Sequence, residues 1–274
     1  MPDTFLLGGD LPVRRLGFGA MRITGPGIWG WPPDHAAAKR LLDRVVDLGI
    51  QLVDTADAYG PETSEYLLAE ALHPYDGLVI ATKGGLERES AGSWTTNGHP
   101  RHLRIACHNS LRRLEVDCID LYQLHAIDDD VPLEDSVGAL ARLREEGKIR
   151  HVGVSNFRVA ELERARAIVP VVSVQNRYNL GDRAHEPVLD YCEANGIGFI
   201  PWYPLAAGSL LQQRRLQDVA ARYGATPGQI ALAWLLKRSP VMLPIPGTSR
   251  IAHLEQNTAA RDIVLSDADF AALG

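Results

Sequence analysis

Asp54, Tyr59, Lys83 and His125 each stand where an apolar run gives way to polar residues. Asp54 and Tyr59 lie in VDTADAYG (53–60), Lys83 in ATKGG (81–85), and His125 ends LYQLH (121–125). Each alone has a plain structural reading: Asp54 capping a loop, Tyr59 packed under a helix, Lys83 reaching solvent, His125 hydrogen-bonded in the core. Ionisable residues near strand ends are common. Together, an acid, a phenol, an amine and an imidazole are the parts of a proton donor to a carbonyl oxygen. A free tyrosine, with a pKa of about 10, is too weak an acid to serve well near neutrality. A lysine ammonium at about 4 Å favours phenolate by about 4 kcal/mol at an effective dielectric of about 20, roughly three pK units before desolvation subtracts its share. On that reasoning Lys83 draws Tyr59 toward neutral pH, Asp54 holds Lys83 charged, and neutral His125 donates a hydrogen bond to the substrate oxygen. Lys83 is one of four lysines among 28 basic residues. It follows an apolar strand, where an unpaired charge is costly.

Residues so far apart in sequence meet only if parallel elements carry them to one place. Eight short β-branched runs end in polar residues, and each is followed by a helical pattern. The runs are Leu16 to Ala20, Ile50 to Asp54, Leu78 to Thr82, Ile119 to Leu124, Ile149 to Val154, Val171 to Gln175, Ile197 to Trp202 and Val241 to Ile245. Helices are expected at 34–48, 63–72, 100–115, 133–146, 157–167, 185–195, 214–223, 226–238 and 250–260. Asp34, Ser64 and Thr226 suit N-caps, and Gly49, Gly147, Gly196 and Gly224 suit helix ends. Eight βα units close into a (β/α)8 TIM barrel, and no linker divides residues 1–274 into two domains. Before the first strand, FLLGGDLPVRRL turns at Gly9-Asp10, as expected of a β-hairpin plugging the barrel bottom. Gly17-x-Gly19 is the nearest approach to a dinucleotide-binding loop. It lacks the third glycine and the immediate helix.

A barrel works at the C-terminal ends of its strands. That rim also carries Ser155-Asn156 after strand five, Gln175-Asn176 after strand six and Trp202-Tyr203-Pro204-Leu205 after strand seven. With VGVSNF (152–157), VQNRYN (174–179) and IPGTSR (245–250) added to the three segments above, the chain resembles the aldo-keto reductase family over nearly its whole length, motif by motif and in order. The resemblance implies a barrel that binds NADPH without a Rossmann domain and reduces an aldehyde or ketone. It casts Tyr59 as general acid, tuned by Lys83 and Asp54, with His125 orienting the carbonyl. It places Ser155, Asn156 and Gln175 on the nicotinamide amide, and Gly19, Ala20, Met21 and Asp54 beside the cofactor. Trp202 takes the ring-stacking position, in the run completed by Tyr203, Pro204 and Leu205. Gly247, Thr248 and Arg250, at a helix start, suit a 2′-phosphate, and Gln256 and Asn257 the adenine. A lysine common in the family is replaced by Gly247, which leaves NADH as a second possible cofactor.

Aromatic residues off the regular elements, Trp29 and Trp31 in GPGIWGWPP (25–33) and Trp94 after Lys83, suggest a flat apolar substrate pocket. MRITGPGIWG with PWYPLAAG resembles the bacterial branch of the family that includes pyridoxal reductases. Two alternatives remain at this stage: an NADP-binding sensor of the same fold with little turnover, and a Schiff-base lyase using Lys83 as nucleophile. A net charge of −6 lacks the basic stripe that nucleic acid requires. Three scattered cysteines, without C-x-x-C or a neighbouring histidine, indicate neither a disulfide framework nor a metal site. The first residues carry acids and glycines rather than a basic and apolar leader, so a cytoplasmic enzyme is expected, monomeric by default and without a membrane partner.

Overall fold

The computed structural model describes residues 3–274. A hairpin of β1 (Thr4–Leu7) and β2 (Leu11–Arg14) opens the chain, followed by β3 (Phe18–Gly19) and a 3-10 turn, Ala20–Ile23. Strands and helices then alternate: α1 (His35–Asp47), β4 (Leu52–Asp54), α2 (Thr63–Leu72) and β5 (Val79–Gly84). A short pair, β6 (Leu86–Glu87) and β7 (Thr95–Thr96), precedes α3 (Pro100–Leu114), β8 (Ile119–Leu124), α4 (Leu133–Glu145) and β9 (Ile149–Ser155). The chain continues through α5 (Val159–Arg166), β10 (Val171–Arg177), α6 (Glu186–Asn195), β11 (Gly198–Trp202), α7 (Arg214–Arg222), α8 (Pro227–Arg238), α9 (Ile251–Ala259) and α10 (Asp267–Leu273). The β6–β7 pair and α10 were not expected from the sequence.

The helices form where an apolar stripe coincides with end signals. α1 buries Ala38, Leu41, Leu42 and Val45, and the Asp34 carboxylate accepts from Ala37 N at 2.8 Å. α8 starts in a capping box, in which Gln229 N donates to Thr226 Oγ1 and Thr226 N to Gln229 Oε1. Ser64 is not the N-cap expected. It lies inside α2, its hydroxyl held between Thr55 Oγ1 and Ala20 O, and Glu62 holds the cap position at φ 67°.

Seven parallel strands form one curled sheet in the order β11-β10-β9-β8-β5-β4-β3. The eighth run, 241–245, is not a regular strand, because Pro244 and Pro246 bring no N–H to a ladder. It still bridges the two edges: Phe199 N donates to Val241 O, Leu243 N to Phe199 O, and Gly17 N to Pro244 O, each within 2.9 Å. Side chains alternate across each strand. Val53, Tyr122, Leu124, Val154 and Phe199 face the helices, while Leu52, Ala81, Leu121, Ile200 and Leu243 fill the barrel interior together with Leu7, Leu11 and Val13 of the hairpin.

The Gly17-x-Gly19 pair serves packing rather than a phosphate loop. A β-carbon on Gly17 would lie 2.8 Å from Leu52 O, and one on Gly19 2.7 Å from Ile245 O. Glycine here lets neighbouring backbones approach where the ring closes.

Candidate active site

The alternation that buries Leu52, Ala81 and Leu121 carries two residues on to Asp54, Lys83 and Gln123, so all three point into the barrel's upper end. Register sets their heights: Lys83 is level with Gln123, and Asp54, paired with Ala81, lies one inward-facing position below them, within reach of the lysine side chain. Ser155 and Gln175 are partners across β9 and β10. Gly153 makes room, since a β-carbon there would lie 2.8 Å from Gln123 Cγ.

Asp54 is the hub. Its Oδ1 accepts from Lys83 Nζ at 2.5 Å, and its Oδ2 accepts from Gln123 Nε2 at 3.1 Å and Gln175 Nε2 at 2.8 Å. Lys83 also donates to Thr55 O at 2.8 Å and is 0% exposed, so its charge is neutralised and its hydrogen bonds made inside the protein. Its Nζ lies 5.2 Å from the Tyr59 ring centroid. The His125 ring meets Tyr59 edge-on at 5.8 Å.

Burial and charge set the protonation states. Burial opposes a charged Lys83, but Asp54 and Tyr59 hold its pKa above the ordinary lysine value. Burial, helped by the Lys83 charge, pushes His125 well below its ordinary value, and the imidazole is neutral. Tyr59 departs from the sequence-based expectation. Burial raises it above its ordinary value, Lys83 pulls it down and Asp54 pushes it up, with a net rise. Desolvation takes a larger share than that expectation gave it and outweighs the ammonium, because the phenol is enclosed by barrel and loops. At neutral pH Tyr59 is therefore a neutral acid that still holds its proton.

These groups open onto one cavity of ≈ 490 Å³. Of the sequence-predicted residues, Gly19, Met21, Asp54, Tyr59, Trp94, His125, Ser155, Asn156, Gln175, Trp202, Tyr203, Pro204, Leu205 and Gly247 line it. Lys83 lies beneath. Ala20 is buried, while Thr248, Arg250, Gln256 and Asn257 sit beyond Gly247, on the turn into α9 and on α9 itself. Trp29 and Trp31 are not among the lining residues. Trp31 stacks on His35 at 5.0 Å and on Tyr66 at 6.4 Å, because Pro32 and Pro33 carry the chain directly into α1. Trp29 stands behind Trp94, across Arg88.

A hydrogen-bonded chain fixes the opposite wall. Ser155 Oγ donates to Gln175 O at 2.8 Å, Asn156 Nδ2 to His125 O at 3.1 Å, and Trp202 Nε1 to Asn156 Oδ1 at 3.0 Å. Asn156 adopts φ 63°, a left-handed conformation that asparagine tolerates better than most residues. Sequence reasoning missed Arg22, Leu86, Ile245 and Pro246, which also line the cavity, and Gln123, which holds Asp54. Gln123 carried a usable signal: it stands two residues before His125 on one strand and so shares its inward face. Gly247 is enforced by packing, since a β-carbon would lie 2.6 Å from Gly19 O. A lysine cannot stand there without moving that backbone.

The profile of the aldo/keto reductase family matches residues 15–274. The chain is 42% identical over 272 residues to pyridoxine 4-dehydrogenase of Escherichia coli, covering 97% of this chain and 95% of that one. It is 52% identical over 266 residues to an uncharacterized oxidoreductase of Schizosaccharomyces pombe, covering 97% and 87%. Among solved structures, a glycerol dehydrogenase from Gluconobacter oxydans superposes with a TM-score of 0.90 at 28% identity, over 99% of this chain and 94% of that one. An aldo/keto reductase from Klebsiella pneumoniae in complex with NADP and acetate superposes with a TM-score of 0.85 at 30% identity, over 100% and 94%. A barrel with this rim and these relatives has one classification: the chain belongs to the aldo/keto reductase family.

Proposed function

We propose that this protein is an NADPH-dependent reductase of aldehydes or ketones, with Tyr59 as the proton donor. The observation that carries this reading is the 2.5 Å Lys83–Asp54 pair buried beneath Tyr59, with a neutral His125 beside it at the cavity wall. The residues fit a dinucleotide. The cavity extends from Tyr59 to Gly247, past Gly19, Met21 and Arg22. Among the described residues the Arg22 and Arg250 guanidinium groups have no side-chain partner, and both are free to meet a phosphate. Ser155, Asn156 and Gln175 would hold the nicotinamide amide, and Trp202 would lie against the ring. NADPH, when bound, supplies hydride to the carbonyl carbon. Tyr59 gives its proton to the carbonyl oxygen, His125 orients that oxygen, and Lys83, held by Asp54, limits the cost of the phenolate that forms.

With Trp202 taken up by the nicotinamide ring, Trp94 is the aromatic wall left to the substrate, which supports a planar aromatic aldehyde. Likeness to pyridoxine 4-dehydrogenase supports a pyridoxal-like one. The hairpin, packed under the strand interiors, is read as the floor of a single-domain (β/α)8 barrel, so that substrate enters from one end. Among the described residues no helix is long and apolar enough to cross a membrane; a cytoplasmic monomer is the working assignment. NADPH oxidation followed with a panel of aldehydes that includes pyridoxal tests the activity. No rate above buffer with any of them would favour a cofactor-binding sensor of this fold.

Two further outcomes follow from the charges. Tyr59 is held above, and His125 well below, its ordinary value. The reduction rate at saturation is therefore expected to stay level from about pH 6 to about pH 9, without a titration near neutrality. A pH–rate profile with a midpoint close to about pH 7 would contradict both assignments. At the other end of the cavity, Arg250→Ala is expected to raise the KM for NADPH about tenfold, the equivalent of about 1.4 kcal/mol, and to leave the KM for NADH unchanged. Equal changes for the two cofactors would remove Arg250 from the phosphate site.

A further inference from the structure

Arg88 lies in the turn between β6 and β7, whose pairs are Leu86 with Thr96 and Glu87 with Thr95. Its guanidinium spans three loops of the rim. Nη1 donates to Ile28 O at 3.2 Å and Ala58 O at 3.3 Å, and Nη2 donates to Gly27 O at 3.2 Å and Ala91 O at 2.8 Å. Gly27 and Ile28 follow β3. Ala58 immediately precedes Tyr59. Among the described residues no carboxylate pairs with this cation. Instead its Cζ sits 3.7 Å from the Trp94 ring centroid and 5.7 Å from that of Trp29, a cation held between two indoles. Trp94 is 41% exposed, and its ring also meets that of Tyr59, nearly perpendicular, at 6.5 Å between centroids. An indole exposed to this degree on a short hairpin has many rotamers open to it unless something fixes its plane.

We infer that Arg88 is a positioning residue for substrate selection: it ties the β6–β7 hairpin to the loops around Tyr59 and fixes the Trp94 ring as the wall against which a planar aromatic carbonyl compound lies. Arg88 does not itself line the cavity. Its effect falls on the binding of flat substrates through Trp94, while small aliphatic aldehydes, which do not need that wall, are insensitive to it. Lysine cannot replace it, because a single ammonium lacks the planar fork that reaches three loops at once. The inference rests on the carbonyl-reductase reading above.

The test compares benzaldehyde and propanal as substrates with NADPH in wild type, Arg88→Met, Arg88→Lys, Trp94→Ala and the Arg88→Met/Trp94→Ala double variant. Arg88→Met is expected to raise the KM for benzaldehyde about tenfold, with kcat within about twofold and the propanal constants unmoved. Arg88→Lys gives the same split. In the Trp94→Ala background, removing Arg88 adds nothing further to the benzaldehyde KM, because the two act as one unit. Equal changes for both aldehydes, a fall in kcat alone, or additive effects of Arg88 and Trp94 would overturn the inference. If Arg88→Met does not fold, Arg88→Lys and its combination with Trp94→Ala carry the same comparison. A wild type that reduces neither aldehyde defeats the carbonyl-reductase reading, whereas a wild type that reduces both without the split defeats only the role of Arg88.

Discussion

Tyr59→Phe is expected to lower kcat for carbonyl reduction by about 10³-fold, within the 10²–10⁴ range that a positioned general acid contributes, while leaving the Kd for NADPH near that of wild type. The substitution removes one oxygen from a ring that packs edge-on against His125 and Trp94, so the cavity keeps its shape. No other side chain takes over the proton. His125 is neutral and serves as a hydrogen-bond donor, and Lys83 is fully buried with its ammonium directed at Asp54 and Thr55 O. Steady-state kinetics with cofactor titration by fluorescence separates the two effects. Turnover retained to within about tenfold would move the acid role elsewhere.

The second large effect concerns stability as well as rate. Lys83→Met leaves the Asp54 carboxylate buried, with two glutamine amides but no counter-charge. Removing one partner of a buried pair costs about 3–5 kcal/mol, because the remaining charge is uncompensated. The variant should therefore unfold at a markedly lower denaturant concentration. It should also lose most of its reduction rate, since the positive charge that favours ionisation of Tyr59 is that of Lys83. Adding Asp54→Leu should restore part of the stability and none of the activity. The recovery is partial because Gln123 and Gln175 then lack their shared acceptor. A Lys83→Met protein as stable as wild type would mean that water reaches Asp54.

The four catalytic candidates could be picked from the sequence because strand period turns Asp54 and Lys83 inward, and all four stand at or just after the end of an apolar run. Gln123 obeyed the same rule but was given no role, because an amide between Tyr122 and Leu124 brings no acid or base of its own. Arg88 had no such signal. Beyond its own turn, its carbonyl partners belong to loops about 30 and 60 residues away in sequence, and backbone acceptors are not encoded by residue type. The eighth strand was legible as an apolar run but not as an irregular one, although its prolines gave warning. The sign of the Tyr59 shift was misjudged because depth of burial is a property of the packed loops, and no side-chain spacing measures it. Trp31 was grouped with Trp94 because both lie off the regular elements, and which ring faces the cavity is decided by the chain path around Pro32 and Pro33.

Asp54 gathers donors from three other strands: Lys83 from β5, Gln123 from β8 and Gln175 from β10. β5 lies beside β4 and β8 one place beyond it, but β10 stands four places away in the sheet order. One carboxylate thus works as a keystone, seated only when distant parts of the ring are already in place. During refolding, catalytic competence would arrive with ring closure and not before, so the return of turnover would time the last step of assembly.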